Sequence, residues 1–167
     1  SLESIETLVK RLRKPDGSSD IYAVIVEPYS ASTLQGCDET FLAGVRELCS
    51  REDIVLIFDE IYTGWCKTGD LFYFMGYPAI PDILTTSKSL GGGKASISAY
   101  VATERVLTKA YGNTRDATLH TTTYNGFGEE CITALEAISI MIDEDYPGKS
   151  RHLHQIISGH YKKLLAS

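Results

Sequence analysis

Five apolar residues in a row, Ile54-Val55-Leu56-Ile57-Phe58, run straight into Asp59-Glu60. A continuous apolar run of this length, without the alternation of a half-solvated strand, is the pattern of a parallel strand covered on both faces. Parallel neighbours need long crossover connections, so this segment points to an alternating α/β architecture. The flanking sequence agrees. Leu2, Ile5, Leu8, Val9 and Leu12 recur at helical spacing until Lys14-Pro15-Asp16-Gly17 breaks the pattern. Ile21 to Val26 is β-branched and ends at Glu27-Pro28, and Phe41 to Ser50 returns to helical spacing through Phe41, Val45 and Leu48.

A Gly- and aromatic-rich stretch from Thr63 to Tyr77 precedes a third short strand at Pro81 to Thr85, a fourth at Ile97 to Ala102 and a fifth at Thr118 to Thr123. Glu129 to Ile142 reads as a helix, Tyr146-Pro147-Gly148 as its stop, and His152 to Leu165 as a last helix. The expected fold is a three-layer α/β/α sandwich around a mostly parallel sheet.

The 167 residues suffice for one hydrophobic core without disulfide or metal staples. A net charge of −6, well mixed along the chain, gives no general attraction to nucleic acid or anionic membrane. Cys37, Cys49, Cys66 and Cys131 lie far apart without a C-x-x-C pair, which suits reduced intracellular thiols and a cytoplasmic location. No apolar run approaches the roughly 18 residues that span a bilayer. His152, His154 and His160 do not share a helical face at the spacing a metal needs, so no metal site is expected.

Ligands of open α/β sheets settle at the carboxyl ends of strands, and Glu27, Asp59 and Lys88 all fall at such ends in this reading. Asp59 follows a buried run, and a carboxylate there requires a partner. Lys88 sits between Ser87 and Ser89, just ahead of Gly91-Gly92-Gly93, where small residues let a bulky planar ligand approach. An acid and an amine so placed are what pyridoxal phosphate requires: an anion against its pyridine nitrogen and a lysine holding its aldehyde as a Schiff base. The same strand could belong to a magnesium-binding ATPase with Gly91-Gly92-Gly93-Lys94 as a degraded phosphate loop. Spacing rejects this, because Lys88 stands five before Gly93, Ala95 replaces the hydroxyl residue, and the loop follows the acidic strand.

Taken together, Glu27-Pro28, the segment from Leu56 to Gly69, Pro81-Asp82-Ile83, Lys88 to Gly93 and His120 to Tyr124 resemble the class III pyridoxal phosphate aminotransferases in order and spacing. The resemblance implies that Lys88 forms the Schiff base, Asp59 pairs with the pyridine nitrogen, Ile61 packs under the ring and Glu27 lies near the cofactor. It implies that Thr123 reaches the cofactor phosphate of the neighbouring subunit of a homodimer. Tyr62 stands where most members carry a glutamine toward the cofactor's ring oxygen, and a phenol can also donate there. Ser32 replaces the glutamate that parks a substrate-binding arginine in ornithine-type members, and Tyr124 to Gly128 replaces Gly-Gly-Asn-Pro.

Members of that family are much longer than this chain, so residues 1–167 read as a partial large domain, its phosphate loop expected upstream and its carboxylate-binding arginine downstream. Alone, such a piece is expected to be inactive. The implied reaction moves an amino group from an amine or amino acid to a keto acid or aldehyde. An isomerase, racemase or aminomutase of the same family and a non-catalytic truncated module are the alternatives.

Overall fold

In the computed structural model, which describes residues 1–166, the apolar run becomes an interior strand of a four-stranded sheet. The strands are β1 (Ala23–Val26), β2 (Val55–Asp59), β3 (Ile83–Thr86) and β4 (Ala99–Ala102), in the order β1-β2-β3-β4. The β1–β2 and β2–β3 pairs are parallel and β3–β4 is antiparallel, giving the mostly parallel sheet expected of the sequence. Five helices accompany it among the described residues: α1 (Leu2–Arg11), α2 (Glu39–Arg51), α3 (Glu104–Tyr111), α4 (Gly128–Asp143) and α5 (Tyr146–Leu165).

Strand alternation decides which residues make the core. Leu56 and Phe58 of β2 are fully buried and cluster with Leu42, Val45, Leu48 and Cys49 of α2, with Val9 of α1 and with Leu84 of β3. Burying each of the large side chains stabilises the fold by about 1.5–3 kcal/mol. The alternate residues face the other way. Register places Ile25, Ile57 and Ile83 in one row there, and Asp59, Thr85 and Tyr100 in the next row toward the carboxyl ends of β2 and β3. Both helices of the α1–α2 pair begin with a side-chain cap, Ser1 accepting from the Ser4 amide and Asp38 from the Phe41 amide.

Asp82 ties the amino ends of these elements together. Its carboxylate accepts from the Leu56 amide (2.8 Å), from Arg46 of α2 (2.9 Å) and from Arg105 of α3 (3.0 Å). Its own amide donates to the Leu56 carbonyl and its carbonyl accepts from Thr103.

Two expectations need correction, and one helix was not expected. Thr118 to Thr123 is not a fifth strand. The segment lies beside the edge strand β4, with the His120 ring 5.7 Å from that of Tyr100, but it is folded by local turns and not by a strand ladder, Leu119 bonding back to Asp116 and Asn125 to Thr122. Tyr146-Pro147-Gly148 does not separate α4 from a helix starting at His152; it opens α5. Asp145 caps the Gly148 amide, and a proline in the first turn forfeits no intrahelical bond. Finally, α3 follows β4 directly, too short for its period to stand out in the sequence.

Candidate cofactor-binding site

Asp59 is the last residue of β2 and Thr85 is its partner in β3, so the two side chains leave the sheet on one face. Two residues past Thr86, the last of β3, Lys88 opens a 3₁₀ turn that runs to Gly91. The sheet thereby fixes an acid and an amine at neighbouring strand ends. Asp59 is half-buried, and its Oδ1 accepts from the Ile61 amide at 3.0 Å, a tight turn that leaves the other carboxylate oxygen without a partner among the described residues. Lys88 is exposed, and its Nζ lies 5.4 Å from the centroid of the Tyr62 ring, a cation–π contact. The amine has neither hydrogen bond nor ion pair among the described residues.

The backbone that carries Lys88 is unusual. Its φ is +48°, in the left-handed region that costs a non-glycine residue on the order of 1 kcal/mol and that clusters at functional sites. The conformation is held from both sides. Ser87 Oγ donates to the Ile97 carbonyl at 2.9 Å, the Leu90 amide bonds to Ser87 and the Gly92 amide to Ser89. Gly92, at φ +60°, also lies so close to α4 that a Cβ there would meet the Ala137 methyl at 2.8 Å.

A second clamp lies behind Asp59. Glu60 is completely buried, its carboxylate accepting from the Tyr73 amide (2.7 Å), the Phe74 amide (2.8 Å) and the Thr63 hydroxyl (2.8 Å). It pins the long excursion between β2 and β3 against the strand end, and Trp65 Nε1 adds a bond to Thr86 Oγ1 at 2.7 Å. Burial pushes the Glu60 carboxyl above its ordinary value although the three donors pull the other way. The folded state therefore holds this proton more tightly than the unfolded one, and stability from this group falls as pH rises upward from the ordinary value of 4.5. Glu60→Gln removes that slope but turns an amide NH₂ toward one of the two backbone donors. The expected cost in the intact protein is about 1–3 kcal/mol at neutral pH, read as a lower urea midpoint.

The remaining expected residues divide. Ile61 and Tyr62 follow Asp59 immediately and stay with the pair, half-buried. Glu27 stands just past the β1 residue that pairs with Phe58, at the same sheet edge, but it is exposed and its carboxylate accepts from the Ala31 amide at 3.0 Å in its own loop. Thr123 is exposed in the turn-rich loop before α4 and makes no hydrogen bond to Lys88 or Asp59. Lys67 joined the site without being anticipated: it donates to the Gly64 carbonyl at 3.0 Å, and burial followed by the charge of Lys88 pushes its amine down. A cleft of about 820 Å³ lined by Trp65, Lys67, Gly92 and Met141 lies beside the glycine turn, and neither Asp59 nor Lys88 lines it.

Comparison with known proteins places the chain in a family. The model of the family described as "Aminotransferase class-III" matches residues 1–167. The chain belongs to the class III aminotransferases. Among solved structures it resembles acetylornithine aminotransferase from Elizabethkingia anophelis, at 26% identity and a TM-score of 0.83, over 99% of this chain and 39% of that one. It also resembles ornithine aminotransferase from Plasmodium yoelii, at 25% identity and a TM-score of 0.82, over 100% of this chain and 42% of the other. A third is ornithine aminotransferase from Toxoplasma gondii (26% identity, TM-score 0.81, 98% and 36% coverage), described with partial occupancy of pyridoxal phosphate at its active site. The chain thus spans about two fifths of the length of these relatives.

Class III aminotransferases depend on pyridoxal phosphate, and the residues present fit it. The site offers an amine with no partner, a carboxylate with one oxygen to spare, and the buried Thr85 hydroxyl, which has no hydrogen-bond partner. Among the described residues no group of three or more His, Cys, Asp or Glu side chains is gathered as a metal would need.

Proposed function

We propose that the protein bearing this chain is a pyridoxal phosphate-dependent aminotransferase that moves an amino group from an amine or amino acid to a keto acid or aldehyde. One observation carries the reading: in a class III chain, Asp59 and Lys88 stand at the ends of adjacent parallel strands, each with a functional atom that has no hydrogen-bond partner among the described residues. Pyridoxal phosphate, when bound, supplies an electron sink for the substrate's α-carbon.

This chain's residues do the rest. Lys88 would hold the cofactor covalently through its amine, and the same amine would serve as general base and then general acid. Asp59, one oxygen of which accepts from the Ile61 amide, would keep a proton on the pyridine nitrogen by charge. Ile61 would pack under the ring, and Tyr62, whose ring centroid lies 5.4 Å from the Lys88 amine, would donate to the cofactor's ring oxygen. Glu27 lines the same sheet edge. Thr123, exposed and without a hydrogen bond to Lys88 or Asp59, serves the neighbouring subunit's phosphate in a homodimer. The four free cysteines support a reducing, cytoplasmic setting, and among the described residues no helix is long and apolar enough to cross a membrane.

The test is to incubate the intact protein with pyridoxal phosphate, reduce with borohydride and map the modified peptide. Phosphopyridoxyl at Lys88, with stoichiometric consumption of a keto acid on addition of an amino donor, supports the proposal. Cofactor turnover without keto acid consumption assigns an isomerase instead, and no label at Lys88 overturns the reading.

A further inference from the structure

Thr85 and Thr86 are adjacent threonines at the end of β3, yet their hydroxyls fare differently. Thr86, on the core face, accepts from Trp65 Nε1 at 2.7 Å. Thr85 lies on the opposite face in register with Asp59, and its Oγ1 is buried with no hydrogen-bond partner. Buried hydroxyls without partners are rare in folded proteins and mark strain, a missing water or a functional role.

The surroundings narrow the role. Paired strands run about 4.8 Å apart, which puts the two side chains side by side. Their backbones are locked together, because the Glu60 amide donates to the Thr85 carbonyl at 3.0 Å. Asp59 has one oxygen bonded to Ile61 and one with no partner among the described residues. A threonine hydroxyl reorients by a single χ1 change and can then donate to a neighbouring carboxylate.

We propose that Thr85 is a positioning residue that donates to the second oxygen of Asp59 when the cofactor ring occupies the site, holding that carboxylate flat against the pyridine nitrogen. The inference rests on the aminotransferase reading and adds to it a residue that touches Asp59 instead of the ring.

The variants are Thr85→Val, which keeps shape and loses the hydroxyl, Thr85→Ser, which keeps the hydroxyl, and Thr103→Val. Thr103 carries another buried unpartnered hydroxyl, near Asp82 at the other end of β3, and serves as the control. Titration of the intact apoprotein with pyridoxal phosphate measures Kd from the visible band, and thermal denaturation with and without cofactor measures stability. Thr85→Val is expected to weaken cofactor binding about tenfold, the worth of one charge-assisted bond. Thr85→Ser and Thr103→Val should stay within about twofold of the wild type by the same measure. Without cofactor, Thr85→Val should unfold at the same or a higher temperature, because it removes an unsatisfied group, and its stabilisation by cofactor should be smaller.

An unchanged Kd for Thr85→Val, or a serine variant as weak as the valine one, overturns the inference while leaving the aminotransferase reading intact. A Thr85→Val apoprotein less stable than the wild type overturns it too, since the hydroxyl would then be structural. A wild-type protein with no visible band overturns both.

Discussion

Replacing Lys88 with alanine is expected to lower amino transfer by about 10⁴-fold, because in the proposed reaction the residue that bonds the cofactor is also the one that moves the proton. The fold should tolerate the change. Lys88 is exposed and forms no hydrogen bond or ion pair among the described residues, so the far-ultraviolet circular dichroism should match that of the wild type. On the proposed reading, any cofactor that still binds would be held by Asp59 and by contacts to the phosphate, and borohydride should leave no label on the peptide containing position 88. A Lys88→Ala protein that transaminates within tenfold of the parent would remove the chemical basis of the assignment.

The second large effect is on stability. Asp82→Ala should cost about 3–5 kcal/mol, the range for breaking a buried ion pair on one side. The carboxylate is only 10% exposed, Arg46 is 20% exposed, and both guanidiniums plus the Leu56 amide lose their acceptor at once. The group also sets a pH dependence. Burial alone would raise the Asp82 carboxyl, but the Leu56 amide and the two arginines outweigh it and hold it below its ordinary 3.8. A depressed carboxyl contributes stability that is complete above the ordinary value and is lost as pH falls through the lower folded one. Urea midpoints followed from pH 7 to pH 2 should therefore drop below about pH 4 in the wild type, with a shallower drop in the variant.

Much of this was readable before any coordinates. The run Ile54 to Phe58 could hardly be anything but an interior strand, and it became β2 with a shift of one residue. Glu129 to Ile142 was equally legible through its period. What failed shares a cause. Thr118 to Thr123 has the residue types of a strand, but strands exist by pairing, and this segment bonds to itself in turns although the edge strand β4 lies beside it. Tyr146-Pro147-Gly148 looked like a stop because proline and glycine end helices, while only the cap by Asp145 shows that the proline sits in a first turn. At the site, residue types and order pointed to Lys88 and Asp59. Thr85 could not be singled out, because which of two neighbouring threonines faces Asp59 is a matter of register. Glu60 was visible only as half of an acidic pair, and its burial depends on donors from Tyr73 and Phe74, thirteen and fourteen residues away.

The positive φ at Lys88 sets the protein's chemistry against its own durability. Glycine or asparagine would sit at that position more comfortably, so selection for heat resistance alone favours discarding the one amine the proposed reaction cannot do without. A hardened variant recovered from such a screen would best be checked for that trade before its robustness is taken as an improvement.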